Sequence, residues 1–419
     1  MRLKLIFKYD PTVRNSIAYL LGSIEVNERL RELDITLSRD PKGDIVHEDD
    51  VINIVAYSLT TINLLRWLDE IKALVKLKKR WRNIVLIAGG PHPSGDPQGV
   101  LFRMGFDYVF IGEAERSLSE FLICLAEGKD PYNIGGIAYV EDGKVVINPP
   151  AKVENLDSYP PCSDRFHLYP PIEITRGCPW GCKYCQTPRI FGFTVRHRSI
   201  DYIVKYAIHY ERCGMTHIRF ISPNGFSYGS KDGRTPAPHK IRELLLRVKR
   251  NTRNLRVYLG TFPSEVRPDF VTRETLEAVH GLIANRRIAI GAQSGSERVL
   301  SEIGRGHTVE DIFRAVELVR DYGYIPYVDF LFGLPCETPQ DEEMTAQVML
   351  RLARMGAIIR GHTFMPLPGT PYANARPGRI SPTIRRALME LKRMGRLEGE
   401  WEAQERLAQE ISLLLSSTR

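Results

Sequence analysis

From Leu3 to His362 the chain repeats one pattern: an apolar run of strand length, a turn rich in Gly, Ser or Pro, then a segment of helical spacing. Strands that alternate with helices imply parallel, doubly wound sheets, because each helix carries the chain back to start the next strand in the same direction. In the first part, strands are expected at residues 3–7, 35–37, 51–57, 84–88 and 108–111, with a hairpin about Glu141-Asp142-Gly143. Ligands of such sheets sit beyond the C-terminal strand ends, where Ser58-Leu59, Gly89-Gly90 and Gly112-Glu113 fall. Residues 149–170 are proline-rich and read as a linker. Six further β/α units follow, which suits a partial (β/α)6 barrel open on one side. The expected division is a Rossmann-like domain at 1–148, a linker at 149–170, a barrel at 171–370 and a helical extension at 371–419.

The first barrel strand delivers the loop Ile174-Thr-Arg-Gly-Cys-Pro-Trp-Gly-Cys-Lys-Tyr-Cys-Gln-Thr-Pro188. Cys178, Cys182 and Cys185 stand there in the spacing C-x3-C-x2-C. Three thiolates so close repel one another and invite oxidation; a soft metal centre resolves both. A [4Fe–4S] cluster held by three cysteines leaves one iron for an outside ligand. Gly177 and Gly181 let backbone amides approach it. A structural zinc would want a fourth Cys or His at a paired spacing, and no second C-x2-C exists.

The C-x3-C-x2-C loop, with Tyr184 just before its last cysteine, resembles the cluster loop of the radical SAM enzymes. The resemblance implies that S-adenosylmethionine chelates the free iron and is cleaved to a 5′-deoxyadenosyl radical. Ser222-Pro-Asn-Gly-Phe226 stands where simpler members carry G-G-E, so Ser222 and Asn224 are candidate SAM contacts. Gly291-Ala-Gln-Ser-Gly-Ser-Glu297 with Arg305-Gly-His307 is similar to a segment shared by cobalamin-type members and methylthiotransferases; it nominates Gln293, Ser294 and Arg305. Asp329-Phe-Leu-Phe-Gly-Leu-Pro-Cys-Glu-Thr338 resembles that group's D-x-x-x-G-x-P-G-E-T and nominates Gly333, although Cys336 replaces a glycine. Each cluster also has a plain structural use: Ser199, Thr308 and Thr338 look like helix N-caps.

The first domain resembles the cobalamin-binding domain that precedes many radical SAM cores. Ser58, Leu59 and Thr60 match its turn after the third strand, Gly89 and Gly90 its turn after the fourth, and Gly112 and Glu113 follow the fifth. The resemblance implies that these turns thread the cobalamin tail past backbone without side chains. One element departs: the loop Lys8-Tyr-Asp-Pro-Thr-Val-Arg14 has Asp10 but no histidine two residues on, so no imidazole is expected beneath cobalt. His92, after Gly89-Gly90, is expected to serve the turn.

Net charge is +8 with 43% hydrophobic and 26% charged residues, a globular composition. The basic excess lies on helical faces without interleaved aromatics, which argues against nucleic acid. No apolar run reaches membrane-spanning length, and the N-terminus lacks a signal-peptide cleavage site, so a cytoplasmic protein is expected. Four of the seven cysteines, Cys124, Cys162, Cys213 and Cys336, are scattered.

Together these imply a cobalamin-dependent radical SAM C-methyltransferase, using a [4Fe–4S] cluster, SAM, cobalamin and a low-potential donor such as ferredoxin or flavodoxin. Non-methylating ring formation or rearrangement is the alternative. A methylthiotransferase would need three more N-terminal cysteines, and only Cys124 precedes Cys162. A non-catalytic carrier would have no use for six strand ends lined with SAM-type motifs.

Overall fold

The run Leu3 to Phe7 forms β1 (Arg2–Lys8), buried on both faces from Leu5 to Phe7. A strand with no polar face belongs inside a sheet covered on both sides. The chain continues with α1 (Arg14–Glu25), β2 (Asp34–Ser38), β3 (Val51–Ser58), α2 (Thr61–Lys78), β4 (Ile84–Gly89), the short α3 (Pro91–Gly95), β5 (Tyr108–Phe110) and α4 (Glu115–Ala126). The hydrogen-bonded order is β2-β1-β3-β4-β5, all parallel. β6 (Ile137–Glu141) and β7 (Lys144–Ile147) add an antiparallel hairpin. Its turn holds Asp142 at φ 48° and Gly143 at φ 72°, the mirror-image geometry that matches strand twist. A cavity of about 420 Å³ opens at the end of β1, lined by Lys8, Tyr9, Asp10, Arg39, Arg66 and Trp67.

The computed structural model describes residues 2–150 and 152–417. They form two compact units. One runs through Pro170 and takes in Leu367–Gly369; the other comprises Pro171–Pro366 and Thr370–Ser417. No helix among the described residues is long and apolar enough to cross a membrane.

The second unit opens with β8 (Ile172–Glu173), β9 (Thr175–Arg176), α5 (Thr187–Phe191), β10 (Arg196–His197) and α6 (Ile200–Arg212). Next come β11 (His217–Ile221), α7 (Pro238–Asn251), β12 (Arg256–Tyr258), α8 (Arg273–Val279), β13 (Arg287–Gln293), α9 (Glu297–Glu302) and α10 (Val309–Asp321). It ends with β14 (Ile325–Phe332), α11 (Pro339–Arg354), β15 (Ile358–Thr363), α12 (Pro382–Arg393), β16 (Leu397–Glu398) and α13 (Trp401–Ser417). Ser199, Thr308 and Thr338 accept from the amides of Tyr202, Asp311 and Asp341, so all three are N-caps, each stabilising by about 1 kcal/mol.

The barrel wall is two parallel ladders, β8-β11-β12 and β13-β14-β15-β16. Single bonds cross the seam between β12 and β13: Ala284 N donates to Val257 O at 2.7 Å and Ala289 N to Gly260 O at 2.9 Å. The Asn285 amide pairs with Leu259 in both directions, at 3.3 and 2.6 Å. The helical tail also supplies β16, parallel to β15, which helix spacing alone does not reveal. From α13, Trp401 O accepts from Thr363 Oγ1 at 2.8 Å and Gln404 Oε1 from Thr363 N at 3.0 Å.

The glycine turn after β4 divides its labour unevenly. Gly90 has φ 105°, and a Cβ there would stand 2.8 Å from Leu59 O. At Gly89 a Cβ meets only Phe110, at an ordinary 3.5 Å, so the protein's own packing demands a glycine at Gly90 and not at Gly89. Gly90→Ala is expected to destabilise the protein by about 1–3 kcal/mol in denaturant melts, and Gly89→Ala by less than about 1 kcal/mol. Equal losses would show that the turn tolerates a left-handed alanine.

Candidate active site

β9 feeds the cysteine loop, and α5 closes it. Cys178 N donates to Gly192 O at 3.1 Å and Cys185 N to Cys182 O at 3.0 Å, fixing the thiols on one turn. Gly177, at φ 87°, has Thr194 O where a Cβ would stand, at 2.1 Å. All three cysteines are free. Burial pushes the Cys178 thiol up to about 11; an amide bond from Trp180 opposes this, and Cys185 and Cys182 add to it. Burial also raises Cys185. Three soft donors that disfavour one another's ionisation and lack a disulfide partner fit an iron–sulfur cluster, whose charge would stabilise the thiolates.

Arg305 ties this loop to the barrel wall. It is 9% exposed and donates to Gly291 O, to His307 Nε2 at 3.2 Å and to Tyr184 Oη at 3.4 Å, with Cys182 Sγ at 3.9 Å. Burial, then the charges of Arg305 and Arg267, lowers His307 to about 2, so its imidazole is neutral and can accept. Lys183 N donates to Ile303 O at 3.0 Å, a second tie between the loop and the α9 end. Burial raises the Tyr184 phenol.

Gln293 has φ 73° where the β13–β14 register slips, between Gly291 and Gln293. Such a bulge re-aims a side chain, and a non-glycine residue held there is strained. Ser294 is wholly buried and engaged internally, with Thr345 Oγ1 at 3.3 Å and Ser296 N at 3.2 Å. Ser222 Oγ donates to Asn224 O at 2.7 Å. Asn224 Oδ1 accepts from Arg267 N at 3.2 Å, while its buried Nδ2 has no partner. Gly333, at φ 74°, lies with Arg379 N 2.6 Å from where its Cβ would be.

Sequence reasoning missed Arg267, Trp180, Glu265 and His362. The Arg267 guanidinium lies 3.6 Å from the Trp180 ring centre, pairs with Asp269 at 3.0 Å and leaves a buried Nη1 without a hydrogen bond. Tyr327 and Arg360 line the barrel lumen, so Asp329 and His362, two residues further along β14 and β15, face the same way. Asp329 is 2% exposed, and neither carboxylate oxygen accepts a hydrogen bond; Arg360 Nε and His362 Nε2 stand at 3.3 and 3.5 Å. Burial, and then Asp329, raises Glu265. The detectable signal was Asp329 itself, a lone acid in the apolar run Tyr327-Val-Asp-Phe-Leu-Phe332.

In the first unit the nominated residues gather at the ends of β3, β4 and β5. Leu59 N donates to Gly89 O at 2.8 Å, and Ser58 Oγ lies 2.9 Å from Ser16 Oγ. Thr60 caps α2 in a reciprocal box with Asn63, and Glu113 accepts from Val153 N at 3.1 Å, so both side chains have internal duties. Gly112, at φ 78°, donates its N–H to Ser94 Oγ at 3.0 Å. Asp10 is likewise occupied, by Thr12 and Arg66. The His92 side chain is fully buried: Nδ1 meets Thr61 Oγ1 at 3.1 Å, Nε2 has no partner, and burial lowers it to about 4. The small-residue cradle fits a cofactor tail, with no exposed imidazole from the β1 loop to serve a metal.

Glu337 accepts from Leu334 N at 2.8 Å inside the turn after β14, and burial pushes its carboxyl from 4.5 up to about 8. A raised acid holds its proton more tightly folded than unfolded. Its stabilisation is therefore complete below its unfolded value and lost as pH rises through about 8. Denaturant melts from about pH 5 to about pH 9 should fall more steeply for the wild type than for Glu337→Gln. Parallel curves would mean an ionised Glu337 in the fold.

Comparison with known proteins places both units. The B12 binding domain family matches residues 38–122 and the Radical SAM superfamily residues 172–349. An uncharacterised protein of Methanopyrus kandleri is 27% identical over 69% of this chain and 62% of its own length, so the chain spans about three fifths of that relative. A putative methylthiotransferase of Methanocaldococcus jannaschii is 28% identical over 80% of this chain and 72% of its own. In fold, the chain is similar to the radical S-adenosylmethionine methyltransferase TsrM of Kitasatospora setae, solved with cobalamin and a [4Fe–4S] cluster bound. There the TM-score is 0.68 at 18% identity, over 88% of this chain and 74% of that one. With a B12-binding unit ahead of a three-cysteine partial barrel, the chain belongs to the cobalamin-binding-domain-containing radical SAM protein family.

Proposed function

We propose that this protein is a cobalamin-dependent radical SAM C-methyltransferase. The carrying observation is the loop of three free cysteines tied through Arg305 to a barrel lumen with buried, unpartnered polar groups. When bound, the cluster with SAM supplies a carbon-centred radical, and cobalamin supplies the methyl group. Cys178, Cys182 and Cys185 would hold three irons. The unpartnered Asn224 Nδ2 and Arg267 Nη1 are donors suited to the polar ends of SAM, and Gln293 is presented from the same barrel end. The turn at Gly333, packed against the Arg379 backbone, would border SAM. In the first unit, Ser58, Leu59, Gly89, Gly90 and Gly112 would line the cobalamin tail.

Asp329 is placed to accept from a donor group on the substrate, beside the Glu265 carboxyl, which burial and then Asp329 raise. Arg360 pairs with its charge from 3.3 Å, yet neither buried oxygen accepts a hydrogen bond, which leaves both open to a donor on a ligand. A low-potential one-electron donor such as ferredoxin or flavodoxin would serve the cluster. Cys124 argues against methylthiolation: its Sγ is engaged with Lys129 O and Asp130 O at 3.4 and 3.3 Å, apart from any cysteine group.

Anaerobically reconstituted protein should hold about four irons. Given SAM, cobalamin and reductant, it should form both 5′-deoxyadenosine and S-adenosylhomocysteine, read by mass spectrometry. The triple variant Cys178→Ala/Cys182→Ala/Cys185→Ala should stay folded and lose the cluster and 5′-deoxyadenosine. 5′-Deoxyadenosine without S-adenosylhomocysteine would replace methylation by other radical chemistry. A cluster surviving in the folded triple variant would remove the reading altogether.

A further inference from the structure

Where the barrel lumen opens at the seam between β12 and β13 lies a cavity of about 990 Å³ whose lining includes Arg219, Arg256, Arg286, Arg287, Arg360 and a single carboxylate, Glu398. Glu398 is already shared: it accepts from Tyr327 Oη at 2.7 Å and stands 3.8 Å from Arg287. Arg360 is paired with Asp329 at 3.3 Å. Arg219 has only a hydroxyl, donating to Thr261 Oγ1 at 3.0 Å. Among the described residues, Arg256 and Arg286 have no carboxylate within ion-pair distance.

Exposed arginines on a convex helix face repel one another little, because water screens them. Five that converge on one concavity focus a positive potential there. Three are steadied by aromatic faces: Arg219 lies 4.8 Å from Tyr258, Arg287 4.4 Å from Tyr327 and Arg360 5.2 Å from Phe262. Stacking holds a guanidinium plane without using up its charge, which leaves the forked N–H edges for a planar or tetrahedral oxyanion.

We propose that this cavity binds the diphosphate group of a small molecule. Two adjacent tetrahedral anions match several guanidinium forks in a bounded space, and bidentate arginine contacts are the preferred protein answer to phosphate. A nucleic-acid backbone would ask instead for a groove that tracks a strand, with free aromatic faces for bases; here those faces are covered by arginines. The inference does not depend on the radical chemistry proposed above: none of the lining residues belongs to the cysteine loop, and Arg360, which pairs with Asp329, is left untouched by the test.

Isothermal titration of inorganic pyrophosphate into the anaerobically reconstituted full chain, at fixed ionic strength, tests it. Sulfate, orthophosphate and a short single-stranded RNA serve as comparisons. Pyrophosphate should bind more tightly than sulfate or orthophosphate, and Arg256→Gln/Arg286→Gln should weaken it about tenfold or more. Both side chains are exposed and without ion pairs, so the variant should keep its far-ultraviolet dichroism, its cluster absorbance and its SAM affinity. Pyrophosphate binding no tighter than sulfate would mean an adventitious ion only. Unchanged affinity in the folded double variant, or RNA binding more tightly than pyrophosphate and lost in the same variant, would each overturn the proposal. Should the double variant not fold, the single variants Arg256→Gln and Arg286→Gln each carry the same expectation in smaller degree.

Discussion

The Arg305 guanidinium is the interaction on which the barrel site depends. It reaches Gly291 on β13, His307 on its own turn and Tyr184 and Cys182 on the cysteine loop. A loop of this length has no core of its own, so its geometry must be set by what it leans on. A buried cation is costly unless every N–H finds an acceptor, and here a carbonyl, a neutral imidazole, a phenol and a sulfur share the task. His307 serves because burial, and then the same positive charge, keeps it unprotonated. Removing any one acceptor would disturb the others.

The architecture was legible because the fold repeats. Every expected strand of the first unit appears, since a strand buried on both faces must be apolar along its length, as Val51 to Tyr57 is. The cysteine loop was legible because three cysteines in the spacing C-x3-C-x2-C stand together within eight residues. Caps at Ser199, Thr308 and Thr338 were legible because an N-cap is a local event.

What escaped was whatever depends on distant pieces of chain meeting. Arg267 lies on Trp180 across a long stretch of sequence, and nothing around either residue announces the other. The near-symmetry of Gly89 and Gly90 in sequence hides that only Gly90 is left-handed and pressed on Leu59. Leu397-Glu398 sits between two amphipathic helices and is too short for a period-two pattern to register. The arginine-lined seam is invisible for the same reason: its members come from β11, β12, β13 and β15 and from the segment before β13.

β16 gives this chain a particular order of assembly. β15 is synthesised well before the strand that covers its outer edge, and until then its amides and carbonyls face water unpaired. An open parallel edge is a template for the wrong neighbour, another nascent chain included. Trp401 and Gln404, which fasten onto β15, arrive later still. During translation the barrel therefore passes through a sticky interval.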